Sequence, residues 1–304
     1  MTYALGIDIG TSFTAAAVLP TGGGEDAARP LVLGRQSGPI PTVAFVGEDG
    51  DVSVGESAER RGIDQPDRLL REFKRRIGDP VPILVGERPV AAADLYALLA
   101  RWVVERAEDR MGEPPAAVTL THPATWSGYR TGLIRTALAA AGLGHAELVA
   151  EPVAAAVAYL DRDRQVDGAT LAVYDFGGGT FDVAFIRLSE ETLDLVGRPE
   201  GIEDLGGADF DDLVLGHVVA SLGDAATRLD PGDPDALLAL TRLRRECVEA
   251  KEALSFDSEV TIPVLLPGIQ TRVRLVRSQF EAMIEESVQA TVATLAGAAE
   301  SAGV

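Results

Sequence analysis

The chain has 304 residues, 46% of them hydrophobic, and 47 acidic against 27 basic side chains give a formal net charge of -20. That length allows a large core or two smaller ones. The acidity argues against nucleic acid and anionic membrane as partners, because phosphate surfaces demand clustered cations. The single cysteine, Cys247, excludes an internal disulfide framework and fits a reducing compartment.

No apolar stretch reaches bilayer-spanning length and Met1–Gly10 carries no basic leader, so the expected location is cytoplasmic. His122, His145 and His217 are widely scattered and offer no zinc-type spacing. A metal here is expected to be a hard ion held by oxygen.

In chain order, Tyr3–Ile9 reads as a strand, Gly10–Ser12 as a turn and Thr14–Leu19 as a returning strand. Gly22–Gly24 reads as a loop, Leu31–Gly34 as a third strand, and Thr42–Val46 as a further apolar run behind the Gly38–Pro41 punctuation. Asp67–Ile77 is basic and helix-like, and its run Arg68, Arg71, Lys74, Arg75, Arg76 could face nucleotide or a partner, although such runs are more often a solvated helix face. Ala92–Arg110 has Leu95, Leu98, Leu99, Trp102 and Val103 at helical spacing.

Alternation follows: strand Ala117–Thr121, helix Gly128–Ala141, strand Ala146–Ala150, helix Pro152–Tyr159. This rhythm predicts an α/β layer architecture. Leu171–Asp175 is then a strand, Phe176–Thr180 a glycine turn and Asp182–Leu188 a returning strand. Helices at Phe210–Leu222 and Asp235–Leu254, paired strands at Val260–Leu265 and Thr271–Leu275, and a helix from Ser278 complete the chain. Cys247 falls in the helical stretch Leu240–Leu254 and reads as a partly buried, inert thiol rather than a nucleophile.

The opening pattern recurs. Leu5-Gly6-Ile7-Asp8-Ile9-Gly10-Thr11 and Ala172-Val173-Tyr174-Asp175-Phe176-Gly177-Gly178-Gly179-Thr180 share one grammar: apolar strand, aspartate, glycine, hydroxyl, second apolar strand. Two copies predict two related lobes facing each other across a cleft, each with a mixed sheet of about five strands. The expected divisions are residues 1–165, with an outer part at about 41–111, and 166–304, with an outer part at about 209–289, joined near Arg162–Thr170.

Glycine lets backbone N–H groups approach a phosphate chain closely because it has no Cβ. An aspartate beside such a turn supplies an oxygen ligand for Mg2+, which keeps several waters and takes one or two carboxylates. Opposed turns at Gly10–Phe13 and Gly177–Thr180 could therefore grip a triphosphate, with Asp8 and Asp175 aimed at its metal. The sequence holds neither a Walker loop nor a dinucleotide fingerprint.

These motifs carry a specific resemblance. The chain resembles the nucleotide-binding domain of the DnaK-type 70-kDa heat-shock chaperone family, whose fold is the two-lobed actin and hexokinase-like ATPase fold. Asp8-Ile9-Gly10-Thr11-Ser12 is similar to the family's first phosphate motif and Asp175–Asp182 to its second. Glu151-Pro152-Val153-Ala154-Ala155-Ala156 is similar to its connecting motif, and Leu205–Asp211 to its glycine turn.

The resemblance implies ATP or ADP with Mg2+ as cofactors and slow ATP hydrolysis. By that resemblance Asp8 and Asp175 hold the metal's waters, Glu151 positions the metal shell or attacking water, and Thr180 and Asp182 orient that water. Gly10, Thr11, Ser12, Phe13, Gly177, Gly178 and Gly179 bind phosphate oxygens, while Gly206 and Gly207 approach ribose and phosphates. Lys251 and Ser255 match the adenosine-side motif. A co-chaperone or exchange factor is the partner implied.

Four departures qualify these expectations. In Val54-Gly55-Glu56-Ser57-Ala58-Glu59, Glu59 stands where the family lysine is expected, so Arg60, Arg61 or Lys74 substitutes for it or hydrolysis is slow. Glu252 replaces the arginine that stacks on adenine, and Val248 an acidic ribose contact. Pro123 matches the family's coupling proline, but Arg130 falls one residue early. The closing adenosine motif and the peptide-binding domain are not present after Ser278–Ala302, so the chain reads as a fragment of a longer protein. The competing functions are a sugar or acetate kinase, an actin-type filament protein, and a nucleotide-sensing regulator with little or no hydrolysis.

Overall fold

Every second side chain of β1 (Tyr3–Ile9) is buried, and β2 (Phe13–Pro20) folds back on it antiparallel. The computed structural model describes residues 2–22, 28–35, 38–162, 168–189, 192–230 and 233–304. β3 (Arg29–Pro30) and β4 (Ile40–Pro41) add to β2, while β5 (Val43–Val46) begins a separate small sheet with β6 (Val52–Val54). After α1 (Gly55–Arg61), β7 (Leu69–Arg71) closes that sheet against β5. The hairpin of β8 (Ile83–Val85) and β9 (Arg88–Val90) leads into α2 (Ala92–Met111). The chain then returns to the first sheet: β10 (Ala117–His122), α3 (Gly128–Ala140) and β11 (Glu147–Ala150) give the order β11-β10-β1-β2-β3, with β10 and β11 parallel to β1.

α4 (Glu151–Arg162) leads to the second sheet, an antiparallel β12 (Thr170–Phe176), β13 (Phe181–Leu188) and β14 (Leu193–Ile202). α5 (Gly207–Leu222) and α6 (Pro234–Ala253) follow, then the hairpin β15 (Glu259–Leu266) and β16 (Ile269–Val276), and finally α7 (Arg277–Ala302). The result is a mixed α/β protein.

The largest core forms where Leu95, Leu99 and Val103, one face of α2 at four-residue spacing, meet Tyr3, Leu5 and Ile7 of β1 and Ile134 and Leu138 of α3. β13 is buried on both faces. Phe181, Val183 and Phe185 pack on Ala298 and Ala302 of α7, while Ile186 and Leu188 pack with Ala156 of α4. This double burial, roughly 1.5–3 kcal/mol per large apolar side chain, fixes the turn at its start. A third core joins Val214, Leu243 and Cys247 to Ile262, Val264 and Leu275 of the β15–β16 hairpin.

Several expectations are corrected. The third strand lies at Arg29–Pro30 rather than Leu31–Gly34; Leu31 makes a single ladder-like bond, its N–H to Ala16 O at 2.8 Å, and turns inward with Leu33. Asp67–Ile77 is not a helix. Pro66–Arg68 and Phe73–Arg76 are 3-10 turns flanking β7, and Glu72 between them is left-handed with φ 54. Among the described residues the two main sheets differ in size, six strands against three, because the chain after β14 builds a hairpin that pairs with itself. β14 has no counterpart among the expected elements. The expected joint near Arg162–Thr170 and the Gly22–Gly24 loop fall partly outside the described residues.

Candidate nucleotide site

The two glycine turns are built alike. Gly10 N–H donates to Phe13 O at 2.9 Å, and Gly177 N–H donates to Thr180 O at 2.9 Å. The pairs Ile9–Thr14 and Phe176–Phe181 bracket them, so Asp8 and Asp175 hold equivalent places, one residue before each closing pair. Across the ladder from them stand Ala15 and Asp182 respectively. The second hairpin therefore carries one carboxylate more than the first.

The turns also meet in space. A Cβ on Gly178 would lie 2.1 Å from Ser12 Oγ, and one on Gly179 would lie 2.3 Å from Thr11 Cγ2. The start of α5 closes on the same place. A Cβ on Gly206 would fall 2.4 Å from Gly179 N, a backbone clash that no side-chain motion relieves. Gly207 N–H donates to Gly177 O at 3.0 Å and Ala208 N–H to Gly178 O at 2.8 Å, pinning the turn from behind.

Acidic groups gather around this contact. Asp8 is exposed and its Oδ1 accepts Thr121 Oγ1–H at 2.7 Å. Asp182 is buried and accepts Thr125 Oγ1–H at 2.8 Å. Burial raises the Asp175 pKa, and the charges of Asp182 and Asp8 raise it further. Glu151, at the start of α4, accepts Lys74 Nζ–H at 2.8 Å; their side chains are 14% and 6% exposed. Burial raises the Glu151 pKa against the opposing pull of Lys74, with Asp8 and Asp182 adding to the rise. Lys74 Nζ also lies 5.8 Å from the Trp126 ring centroid. A cavity of about 20 Å³, room for about one water, is lined by Thr11, Lys74, Trp126, Thr180 and Asp182.

Among the described residues no three acidic, histidine or cysteine side chains form a metal cage. A hydrated hard cation needs only one or two carboxylates. Burial is the larger cause of the Asp175 rise; the added repulsion from Asp182 and Asp8 is the part a divalent cation would relieve, and the oxygen donors present fit Mg2+.

On the other flank, Lys251 Nζ donates to Gly207 O at 3.0 Å and pairs with Asp211 at 2.7 Å. Ser255 and Glu252 are exposed at the end of α6, and Val248 is half-buried. Phe13 is exposed at the rim of the first turn. Thus Thr11, Ser12, Gly177–Thr180, Gly206 and Gly207 come together, whereas Ser255 makes no described bond to them.

The sequence left Arg60, Arg61 or Lys74 open as the substitute for the family lysine. Glu59 lies on α1 and pairs with Arg71 at 3.1 Å. The cation beside Glu151 is Lys74, so Glu59 puts no negative charge in the site. Arg60 is exposed and Arg61 pairs with Asp51 at 2.7 Å. Of the two readings of the basic run, the solvated face holds for Arg71 and Arg76 but not for Lys74, which is buried, or Arg75, which is largely so. The available signal was Lys74 and Arg75 lying between Phe73 and Ile77, both fully buried. Thr121 and Thr125, which hold two of the carboxylates, were not singled out. Arg130 forms a bidentate pair with Glu203, and burial lowers the His122 pKa as its Nδ1 meets Pro123 O at 2.8 Å.

The chain is thus a mixed α/β protein whose two glycine turns touch beside a group of carboxylates. Residues 80–304 match the family model described as Hsp70 protein. The chain belongs to the Hsp70 family, whose members are nucleotide-binding, chaperone-type ATPases. The match includes Glu151, the second turn, Gly206, Gly207, Lys251 and Ser255; Asp8, the first turn, Lys74 and Arg75 precede it.

Proposed function

We propose that this chain binds Mg-ATP between the Gly10–Phe13 and Gly177–Thr180 turns and hydrolyses it to switch a chaperone-like protein. The observation that carries the reading is the direct contact of the two turns, with Ser12 and Thr11 against Gly178 and Gly179, over Asp8, Asp175, Asp182 and Glu151. In this reading the core is duplicated. Residues 1–165 and 166–304 are its two lobes, with outer parts at about 41–111 and 209–289, and the nucleotide cleft runs between them. The family match and the paired turns support the division.

Mg2+ would supply charge neutralisation for phosphoryl transfer, and Asp8 and Asp175 would hold it. Backbone N–H groups of Thr11–Phe13, Gly178 and Gly179 bind phosphate oxygens, those of Gly10 and Gly177 being taken up by the turns' own closing bonds, and Gly206 and Gly207 admit the ribose side. Lys251 and Ser255 face the adenosine. Lys74 places its ammonium at the carboxylate cluster and meets developing phosphate charge, an electrostatic role typically worth about 10²–10³-fold in rate. Thr180 and Asp182 orient a water in the small cavity beside them, and Glu151 holds Lys74 and the metal shell in place.

A second reading, a nucleotide-sensing regulator with little hydrolysis, is favoured by the Lys74–Glu151 pair, which neutralises the lysine in advance. Single-turnover ADP formation from bound Mg-ATP separates the two. Measurable turnover supports the switch, and tight binding without turnover supports the sensor. A co-chaperone or exchange factor is the proposed partner. The proposed location is cytoplasmic; among the described residues no helix is long and apolar enough to cross a membrane.

A further inference from the structure

We propose that Arg75 is the positioning residue of this site, binding the Gly177–Thr180 turn and the start of α5 from the opposite half of the chain. The proposal rests on the nucleotide reading above. Arg75 Nε–H donates to Gly179 O at 2.8 Å, while its fork donates to the Asp209 carboxylate at 3.2 and 2.5 Å. Asp209 in turn accepts Gly206 N–H at 2.7 Å. These bonds close a ring around the point where Gly206 meets Gly179 N. One guanidinium therefore sets the spacing between the second turn and the glycine turn, and it does so with its side chain only 16% exposed.

The local backbone explains how it gets there. Lys74 and Arg75 are neighbours in the 3-10 turn Phe73–Arg76, where successive side chains diverge by a third of a turn. Lys74 consequently reaches Glu151 in its own half, and Arg75 reaches Gly179 and Asp209 in the other. Glu72, just before them, is the one non-glycine residue with positive φ among the described residues. Such a conformation persists only where the surroundings over-determine it. Glu72 also pairs with Arg75 at 3.2 Å, tying that backbone to the same guanidinium.

Lysine cannot reproduce the arrangement. Arginine offers five donors in a fixed fork, so one edge takes a carbonyl while another takes a carboxylate; an ammonium is a point charge. Without the fork, the Gly178–Thr180 backbone and the Asp182 and Asp175 carboxylates on the same hairpin lose their register with Thr11 and Ser12. A misplacement of about 1 Å costs about 10²-fold in rate.

The test compares wild type, Arg75→Lys, Arg75→Gln and Asp209→Asn for Mg-ATP affinity, single-turnover rate and urea midpoint. The expected result for both Arg75 variants is a single-turnover rate lower by about 10²-fold, with affinity changed only a few-fold and a folded, cooperative protein. Asp209→Asn keeps an acceptor for Gly206 N–H but removes the charge, so it should fall between them and wild type. If the Arg75 variants fail to fold, Asp209→Asn alone decides. Variants that turn over at the wild-type rate, or that lose affinity and rate only in proportion to stability, overturn the positioning role. A wild type that binds no nucleotide overturns the nucleotide reading itself, and the positioning role with it.

Discussion

Lys74→Met tests the electrostatics of the carboxylate cluster directly. Lys74 and Glu151 form a 2.8 Å pair with side chains 6% and 14% exposed, and Asp8 and Asp182 add negative charge around Glu151. Removing one partner of such a buried pair leaves an uncompensated charge and typically costs about 3–5 kcal/mol. With a urea m-value of about 3 kcal/mol/M, that is a fall of roughly 1–1.7 M in midpoint. Glu151 already has a raised pKa from burial, and loss of Lys74 pushes it higher.

A group whose folded pKa is raised favours the folded state at low pH and loses that contribution as pH rises through the folded value. The penalty in Lys74→Met should therefore be largest near neutrality and shrink in acid as Glu151 takes up a proton. Lys74→Met with Glu151→Gln should recover most of the loss, since no charge is then stranded. The assay is urea denaturation of wild type, Lys74→Met and the double variant across a pH series. A cost below about 1 kcal/mol, or one that does not change with pH, would refute the reasoning.

Asp175→Asn and Gly178→Val should each weaken Mg-nucleotide binding at least about tenfold, or about 1.4 kcal/mol, with the fold kept. The first removes the charge aimed at the metal, and the second drives a side chain into Ser12; titration calorimetry and circular dichroism check both. Glu59→Lys should leave turnover unchanged and cost at most about 1 kcal/mol, because it only replaces an exposed ion pair with a clash against Arg71; a gain in single-turnover rate would return Glu59 to the site. Hydrogen bonding to Arg130 lowers the Glu203 pKa below its ordinary 4.5. Its stabilisation is therefore present above that value and lost as pH falls through the depressed one. Glu203→Gln should flatten the acid limb of a urea-midpoint titration by about 0.5 kcal/mol, given the pair's partial exposure.

The turns were legible because they obey local rules. An aspartate, a glycine and a hydroxyl between two apolar runs specify a hairpin, and Gly10 and Gly177 make the same closing bond. The long helices were legible from periodicity, with α2 and α6 within a residue or two of expectation. β14 was not, since Gly197, Arg198 and Pro199 interrupt it and its pairing with β13 shifts register between Val183 and Phe185. Only burial of β13 on both faces demands a strand there. Lys74 was one of three candidates for the missing lysine and Arg75 none, because both sit in a run of bases that mimics a solvated helix. Their roles depend on a left-handed Glu72 and on partners at 151, 179 and 209, which no local pattern encodes. Cys247 is more deeply buried than the partly buried thiol expected, and burial, with the charge of Asp211 adding to it, pushes its thiol up to about 11.

The central claim is that the apposed turns and their carboxylates form one Mg-dependent nucleotide site. Calorimetric titration of the chain with ATP, with and without Mg2+, tests it most directly when repeated on Asp175→Asn. The account predicts one site per chain that Mg2+ strengthens in the wild type and barely affects in Asp175→Asn. Absence of binding, or binding that neither Mg2+ nor Asp175→Asn alters, would contradict it.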